Sequence, residues 1–187
     1  MNIAIHAGHA VVGSRGAVKY MDEVRKNRLL KKYMIKFFKK EKKGVTVKDL
    51  TVHTGTQRQV LNGIKKNFYK KCKKGDWLNI SLHLNSSDNW RANGFEIFVS
   101  PKMLGDRSKR ANLEGICAEF CERTGFENRG VKKSSSLFVL NHLPNCVLCE
   151  VGFVTSRKDT KIYETQHSQR IACILADCML KYGKELL

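Results

Sequence analysis

Apolar and polar positions along the chain repeat with the periods of strands and helices. The run Ile3-Ala4-Ile5 predicts a short buried strand, because it is continuously apolar and is followed by small residues. Asp22-Glu23 begin a long predicted helix, whose second face is crowded with lysine and arginine. After a charged run that ends at Gly44, the segment GVTVKDLTVH alternates as a strand does. The apolar stripe of the long helix consists of Leu30, Tyr33, Met34, Phe37 and Phe38.

The rest of the chain continues to alternate between helix and strand. RQVLNGIKKNFYKKCKKG is predicted as a second basic helix that ends at Gly75, and a strand follows at 77–82. GFEIFVS is predicted as a strand, and SKRANLEGICAEFCERTG as a helix that ends at Gly125. LFVLN and CVLCEVGF are predicted as the last two strands, before a closing helix at about 167–184.

This order of elements predicts the fold class. Strands that alternate with helices indicate a single α/β domain over residues 1–187, with a mainly parallel, twisted sheet of about six strands and helices on both faces. A hydrophobic fraction of 42% and only two prolines exclude a disordered chain. We find no apolar stretch that could span a bilayer and no N-terminal signal pattern. We therefore expect synthesis in the cytoplasm without a signal peptide and no transmembrane segment.

The charge of the chain is strongly positive. Lysine and arginine total 35 against 17 acidic residues, which gives a net charge of +18. Such a charge attracts polyanions, among them nucleic acid, anionic lipid and the phosphate polymers of bacterial walls. The two basic helices carry their aromatic residues at helical spacing, which favours solvated helix faces with the aromatics turned inward. We therefore predict no specific nucleic-acid partner.

Seven cysteines, an odd number, are expected to be reduced thiols that pack as small apolar residues. Cys146 and Cys149 form a CxxC string, which raises the alternative of a redox or structural zinc site. In a strand, however, positions three apart face opposite sides of the sheet. This geometry disfavours a shared ligand.

Candidate chemistry is concentrated near the ends of predicted strands. His9 follows the first strand, His83 lies in SLHLN, Glu150 lies in LCEVGF, and Glu23 begins the first long helix. In an open α/β sheet such residues converge beyond the carboxyl ends of the strands. Two imidazoles and one carboxylate are the ligand set of a catalytic zinc, and a further carboxylate can act as general base. The alternatives are hydrogen-bonded structural histidines and an acid that complements a helix dipole.

Glu150 differs from the other three because it stands within an otherwise apolar strand. A carboxylate there carries a large burial penalty unless it lies at the rim of the sheet and has a partner.

An ordered set of motifs links the chain to a known family. A strand runs into a glycine-histidine turn at 5–9, Glu23 is followed four residues later by Asn27, and a serine-apolar-His-x-Asn strand end occupies 81–85. GFEIF, NRGVK, LFVLN and LCEVGFVTS follow in family order. With these motifs the chain resembles the zinc-dependent N-acetylmuramoyl-L-alanine amidases of the family-3 type, which hydrolyse bacterial peptidoglycan. The resemblance covers nearly the whole chain.

The resemblance implies a role for each candidate residue. It implies that His9, Glu23 and His83 hold one Zn²⁺ ion per chain and that Glu150 is the catalytic carboxylate. It also implies the reaction, which is hydrolysis of the amide between the lactyl group of muramic acid and L-alanine. Zinc would polarise the carbonyl, and the carboxylate would take a proton from water and return it to the departing amine.

Further expectations concern the surroundings of these residues. Asn85 and Arg129 are expected to contact the substrate. The opening motif departs from the commoner family form, because His6 and Ala7 replace an Asp-Pro pair and Ala10 replaces a glycine. The family places the ligand after the glycine, so His6 is expected at the rim or behind a ligand.

The resemblance favours an endolysin, made in the cytoplasm of a bacterial host and active at the cell wall after release. The basic helices are expected to hold the enzyme on anionic wall polymers. Two alternatives stay open, namely a zinc carboxypeptidase of the stem peptide and a catalytically inactive wall-binding module.

Overall fold

The computed structural model describes residues 1–40 and 44–187. The strands are β1 (Asn2–Ala7), β2 (Val12–Gly13), β3 (Thr46–Asp49), β4 (Thr54–Gly55), β5 (Trp77–Asn85), β6 (Phe95–Val99), β7 (Asn128–Lys133) and β8 (Cys146–Phe153). The α-helices are α1 (Glu23–Lys40), α2 (Gln57–Lys71), α3 (Pro101–Gly105), α4 (Arg107–Thr124), α5 (Phe138–His142) and α6 (Arg157–Tyr182), and a 3₁₀ turn follows at Gly183–Leu186. The end of the predicted basic helix, residues 41–43, lies outside the described residues.

A six-stranded sheet in the order β3-β1-β5-β8-β6-β7 forms the centre of the molecule. Strands β3, β1, β5 and β8 are parallel to one another, β6 runs antiparallel to β8, and β7 is parallel to β6. The predicted α/β fold with a mainly parallel sheet is confirmed. Because β1, β5 and β8 run in the same direction, their carboxyl ends lie along one edge of the sheet.

Helices cover both faces of the sheet. Helices α1, α4 and α6 pack together over one face, where the larger apolar core includes Leu30, Phe120 and Leu175. Helices α2 and α5 cover the other face, where a smaller core includes Ile64 and Val139. Each strand of the centre therefore contributes apolar side chains to two cores, which explains its near-continuous apolar sequence. Among the described residues, no helix combines the length and the apolar character needed to cross a membrane.

The sheet has the expected number of strands, but one predicted strand is wrong. LFVLN forms the short helix α5, which buries Val139 and Leu140 against the smaller core. A four-residue apolar run fits one turn of helix as well as a strand, so its pattern could not distinguish them. The sixth strand is instead β7, whose sequence NRGVKK is largely polar. It lies at the edge of the sheet, where β6 is its one partner among residues 1–40 and 44–187, and it tolerates charged side chains there.

The last helix is longer than predicted. It begins at Arg157, where the Ser156 side chain caps it by accepting a hydrogen bond from the Asp159 amide. His167, the predicted first residue, has φ of +59° and interrupts the helix. The first part is too polar for its pattern to predict a helix, whereas the pattern of the apolar part after the interruption does predict one.

Candidate active site

Four residues were predicted from the sequence to carry the chemistry. They all lie at the edge of the sheet where the parallel strands β1, β5 and β8 end. His9 follows β1 by two residues, Glu23 is the first residue of α1, and His83 lies near the end of β5. Glu150 lies on β8 directly opposite His83 in the parallel pairing. Residues distant in sequence are thus neighbours, because parallel strands end at the same edge.

Three of these residues converge on one point. Glu23 Oε1 lies 3.0 Å from His83 Nδ1 and 3.5 Å from His9 Nε2. One potential ligand atom from each residue lies within 4.8 Å of the others. The imidazole rings of His9 and His83 meet edge to face, with 5.2 Å between their centroids. Two ring nitrogens and a carboxylate oxygen therefore surround a volume that one ion could share.

Glycines hold the potential ligands in place by leaving room for them. A β-carbon added to Gly8 would lie 2.0 Å from the His83 ring, and one added to Gly16 would lie 2.3 Å from Glu23 Oε2. His9 adopts φ of +56°, a left-handed conformation that non-glycine residues rarely adopt. Arg28 stabilises this turn because its guanidinium donates to the carbonyls of Gly8 and His9. The glycine-rich opening of the chain is thus shaped around the two imidazoles.

The charges of these residues depend on one another. Burial alone would raise the pKa of Glu23, but the hydrogen bond to His83 and the two nearby imidazoles bring it below its usual value. Burial likewise opposes protonation of His83, yet its bond to Glu23 and the charges of Glu150 and Glu23 raise its pKa. For His9, burial prevails and lowers the pKa. Glu23 therefore keeps its negative charge, as a cation ligand must.

Glu150 has the opposite character. Its Oε2 is buried and, within the described chain, accepts no hydrogen bond. Burial raises its pKa to about 7, with a smaller lowering by His83 and further raising by the charges of Glu23 and Glu96. A carboxyl group with this pKa can take up and release a proton near neutral pH.

A buried acid that the sequence analysis missed lies beside Glu150. Glu96 is 1% exposed and sits opposite Glu150 in the antiparallel pairing of β6 and β8. Asn85 Nδ2 donates to its Oε1 at 2.7 Å, Arg129 Nε donates to its Oε2 at 2.7 Å, and Lys132 also binds Oε2. Burial opposes ionisation of Glu96, but the bonds from Lys132 and Arg129 lower its pKa below the usual value.

The same cluster locates the two predicted substrate contacts. Asn85 and Arg129 both point to Glu96, and the Arg129 guanidinium also lies 4.9 Å from the Phe153 ring centroid. Their side chains are therefore held beside Glu150 by the buried acid. A carboxylate inside the apolar segment GFEIFVS was the signal for Glu96, as it was for Glu150 in its own strand.

His6 is fully buried, which excludes a position at the rim and leaves the other expected position, behind a ligand. It lines one small cavity together with His9 and His83, which places it behind the potential ligands. Neither of its ring nitrogens has a hydrogen-bond partner in the described part of the chain. Burial, with the nearby charge of His83, lowers its pKa to about 3, so His6 is neutral at neutral pH.

The CxxC string has the geometry that the sequence predicted. Cys146 packs in the smaller core and Cys149 in the larger one, on opposite faces of β8. Burial raises the pKa of both thiols, which keeps them in the protonated form.

The residues present fit a zinc ion. Two imidazoles and one ionised carboxylate form the ligand set of a catalytic zinc with an open fourth position. Gly8 and Gly16 leave space that is filled by the side chains of His83 and Glu23. This close packing is independent evidence that the backbone determines where these two side chains lie. Glu150, paired with His83 across the strands, lies beside this ligand set and has a pKa of about 7.

Comparison with protein families gives a match over most of this chain. The model of the Amidase_3 family, described as N-acetylmuramoyl-L-alanine amidase, matches residues 3–179. A comparison with curated protein sequences gives no significant match.

Solved structures with the same fold span almost the whole chain. The catalytic domain of the CD27L endolysin, which targets Clostridia difficile, is 26% identical, with a TM-score of 0.76 and 97% of each chain covered. The catalytic domain of CwlV, an N-acetylmuramoyl-L-alanine amidase from Bacillus (Paenibacillus) polymyxa, is 22% identical, with a TM-score of 0.78 and 98% of each chain covered. The amidase AmiC2 of Nostoc punctiforme is 21% identical, with a TM-score of 0.79, and the match covers 98% of this chain and 97% of AmiC2.

Proposed function

Because the chain belongs to the Amidase_3 family of N-acetylmuramoyl-L-alanine amidases, we propose that it is a zinc-dependent hydrolase of bacterial peptidoglycan. The bond cut is the amide between N-acetylmuramic acid and L-alanine, and residues 1–187 form the catalytic domain. One observation carries the proposal: His9, Glu23 and His83 converge within 4.8 Å next to a carboxyl group that can exchange a proton at neutral pH.

His9, Glu23 and His83 would hold one zinc ion. When bound, zinc supplies Lewis acidity for the scissile carbonyl and makes a water molecule more acidic. Glu23 matches this task because it stays ionised, and its second oxygen accepts a hydrogen bond from the Ala17 amide at 2.9 Å, which fixes the carboxylate. Such supporting hydrogen bonds orient metal ligands.

Glu150 moves the proton that the reaction requires. Its ionised form accepts a proton from the water that attacks the amide carbon. Its protonated form then donates this proton to the departing nitrogen, which would otherwise be a poor leaving group. A pKa of about 7 suits both transfers, because neither protonation state is strongly favoured at neutral pH.

Asn85 and Arg129 are our proposed substrate contacts. Both are tied to Glu96, which lies across the strand pair from Glu150. The buried acid would therefore fix their polar groups next to the reacting bond, where groups of the sugar or the peptide must be oriented.

We place the enzyme at the bacterial cell wall, as the catalytic part of an endolysin. The similarity to an endolysin catalytic domain over 97% of both chains supports this role. The net charge of +18 supports an attraction to anionic wall polymers.

Product analysis tests this function. Purified sacculi are digested with the protein, with and without a chelator, and the released fragments are analysed by mass spectrometry. We expect intact stem peptides with a free L-alanine amine, and loss of their release with the chelator. Release of terminal amino acids would instead indicate a carboxypeptidase. Binding without any release would indicate a wall-binding module.

A further inference from the structure

A second surface, on the same side of the molecule as the candidate active site, has the features of a binding site. Three loops, before α1, between β5 and β6, and between β8 and α6, form a groove of about 450 Å³. Its aromatic and basic lining consists of Lys19, Tyr20, Trp90, Arg91, Arg157 and Lys158. The residues that line it include no carboxylate, as far as the described chain extends.

The aromatic side chains of the groove are unusually exposed. Trp90 is 78% exposed and Tyr20 is 42% exposed, although large aromatic rings are normally buried. Cations already lie against both rings: Arg91 is 5.0 Å from the centroid of Trp90, and Arg157 is 4.7 Å from that of Tyr20. Exposed rings flanked by guanidinium groups are a surface suited to a ligand that has both flat apolar faces and negative charge.

Hydrogen bonds between the loops hold this groove together. The Tyr20 amide donates to the Val154 carbonyl at 3.0 Å, and the Ser87 amide donates to Thr155 Oγ1 at 3.2 Å. The loop that carries Tyr20 and the loop that carries Arg157 are therefore joined directly. A groove formed in advance of binding spares the ligand the entropic cost of ordering its walls.

The groove lies within reach of the same polymer that the active site would cut. Its lining includes Thr155, two residues after the end of β8, and Glu150 lies five residues before Thr155 in the chain. Five residues of fully extended chain span at most about 18 Å, so Thr155 lies within that distance of Glu150. A sugar chain bound at the active site would therefore reach the groove within a few units.

From this juxtaposition we infer that the groove binds the glycan strand from which stem peptides have been removed. The inference rests on the proposed amidase function. Hydrolysis breaks the lactyl C–N bond, adds the hydroxyl of water to the carbonyl and gives the amine a proton. Each cleaved muramic acid then bears a carboxylate, so the product strand combines sugar rings, whose C–H faces can stack on aromatic rings, with a negative charge on every second ring. That combination matches the rings and cations of the groove.

Other polyanions match this surface less well. A polyol-phosphate wall polymer has the charge but no sugar rings along its backbone to cover Trp90 and Tyr20. An uncharged sugar chain has the rings but gives Arg91 and Arg157 no counter-charge. A groove that retains the cleaved strand would favour successive cuts along one strand over release after each cut.

Binding without turnover tests the inference. The chain has two tryptophans, and Trp77 is only 6% exposed. A ligand that covers Trp90 therefore changes the fluorescence of the exposed tryptophan. The probe is soluble glycan strands already stripped of stem peptides. We expect a blue shift on binding and roughly tenfold weaker binding by the double variant Arg91→Gln/Arg157→Gln. The matched double variant Lys66→Gln/Lys70→Gln, which removes two exposed charges on α2, should bind as the unmodified chain does.

For variants that lack Trp90, binding to the same glycan strands is measured by sedimentation. We expect Trp90→Ala to lose binding and Tyr69→Ala, an exposed aromatic change on α2, to keep it. All substitutions are at exposed positions, and unchanged melting temperatures would establish that the variants fold. Equal affinity of Arg91→Gln/Arg157→Gln and the unmodified chain would overturn the inference. So would tighter binding of chitin oligosaccharides, polyglycerol phosphate or single-stranded DNA.

Because the strands are already stripped, this binding does not depend on catalysis. A failed binding test with normal peptide release would reject the groove alone, whereas normal binding without peptide release would reject the amidase function.

Discussion

Two carboxylates of the candidate site have opposite protonation behaviour, although they approach the same histidine. Glu23 accepts bonds from His83 and from the Leu84 and Ala17 amides, and its pKa is lowered. Among the described residues, Oε2 of Glu150 has no such bond, and burial raises the pKa of Glu150 to about 7. Environments that separate the pKa values of neighbouring acids commonly mark the division between a fixed charge and a proton carrier.

This division predicts the effect of Glu150→Gln. The amide cannot accept a proton from water, so the rate of stem-peptide release should fall by about 10²- to 10⁴-fold. Zinc content measured by mass spectrometry should be unchanged, because Glu150 is not among the three converging ligands. Glu164→Gln, an exposed change on α6, is the matched control and should retain activity. A fully active Glu150→Gln enzyme would refute the assigned role.

His6 predicts how stability depends on pH. Its folded-state pKa of about 3 lies below the ordinary value near 6.5, so the folded chain binds fewer protons than the unfolded chain. Its contribution to stability is complete above pH 6.5 and is lost as the pH falls toward 3. Between pH 6.5 and 5 this single group should lower the free energy of unfolding by about 2 kcal/mol.

Denaturant unfolding with chelator present measures this effect. His6→Leu should remain folded at pH 7, because leucine fills the site without unpaired nitrogens, and it should lose less stability on acidification. His53→Gln, at an exposed position, should keep the acid dependence of the unmodified chain. An identical acid dependence in His6→Leu would show that His6 is not buried in neutral form.

Glu150 and Glu96 show which residues of the candidate site the sequence can predict. Glu150 was singled out because it interrupts an apolar strand, and the structure brings it opposite His83 as the strand order requires. Glu96 interrupts an apolar strand in the same way, but the sequence alone does not predict its role. Its importance depends on Arg129 and Lys132, which reach it from an edge strand that the polar sequence NRGVKK did not indicate.

At the scale of elements, the long periodic segments were predictable and the short ones were not. Helices α1, α2 and α4 and strands β5, β6 and β8 follow their apolar patterns, because each presents a continuous face to a core. LFVLN forms a helix because one helical turn buries Val139 and Leu140 in the smaller core next to α2. Tertiary packing, which a local pattern does not contain, decides such short segments.

The turn after β1 gives a test at this scale. A β-carbon at Gly8 would lie 2.0 Å from the His83 ring, so Gly8→Ala must displace a ligand or the turn itself. We expect zinc affinity to fall by at least about 100-fold, the upper range for loss of support around a metal ligand. A competition titration with a chromophoric chelator measures this affinity.

Gly105→Ala is the control, because a β-carbon there meets nothing within 4 Å. It should bind zinc as the unmodified chain does. If Gly8→Ala retained full affinity, the packing of this glycine against His83 would not be needed for the site.

At the scale of the whole molecule, the central sheet determines the geometry of the candidate site, whereas the net charge should affect attraction to the cell wall. Parallel β1, β5 and β8 bring the candidate residues to one edge, which is why the fold class alone predicted their convergence. The charge of +18 has no part in that geometry, and its effect should be an attraction to the wall over distances that salt screens.

Salt dependence tests this long-range role. Raising the ionic strength from 0.05 to about 0.5 M shortens the screening length several-fold, so sacculus binding and lysis should both decline. Cleavage of a small soluble muramoyl-peptide should change much less, since it requires no docking on a polymer. Lysis that is indifferent both to salt and to removal of anionic wall polymers would exclude electrostatic docking.

The zinc stoichiometry of the purified protein tests the central claim most directly. After exhaustive dialysis against zinc-buffered solution, mass spectrometry should find one zinc per chain in the unmodified protein and almost none in His83→Ala. Melting temperatures of both proteins in chelator would establish that the variant is folded. One tightly bound zinc in His83→Ala, or none in the unmodified protein, would contradict a shared ion between His9, Glu23 and His83.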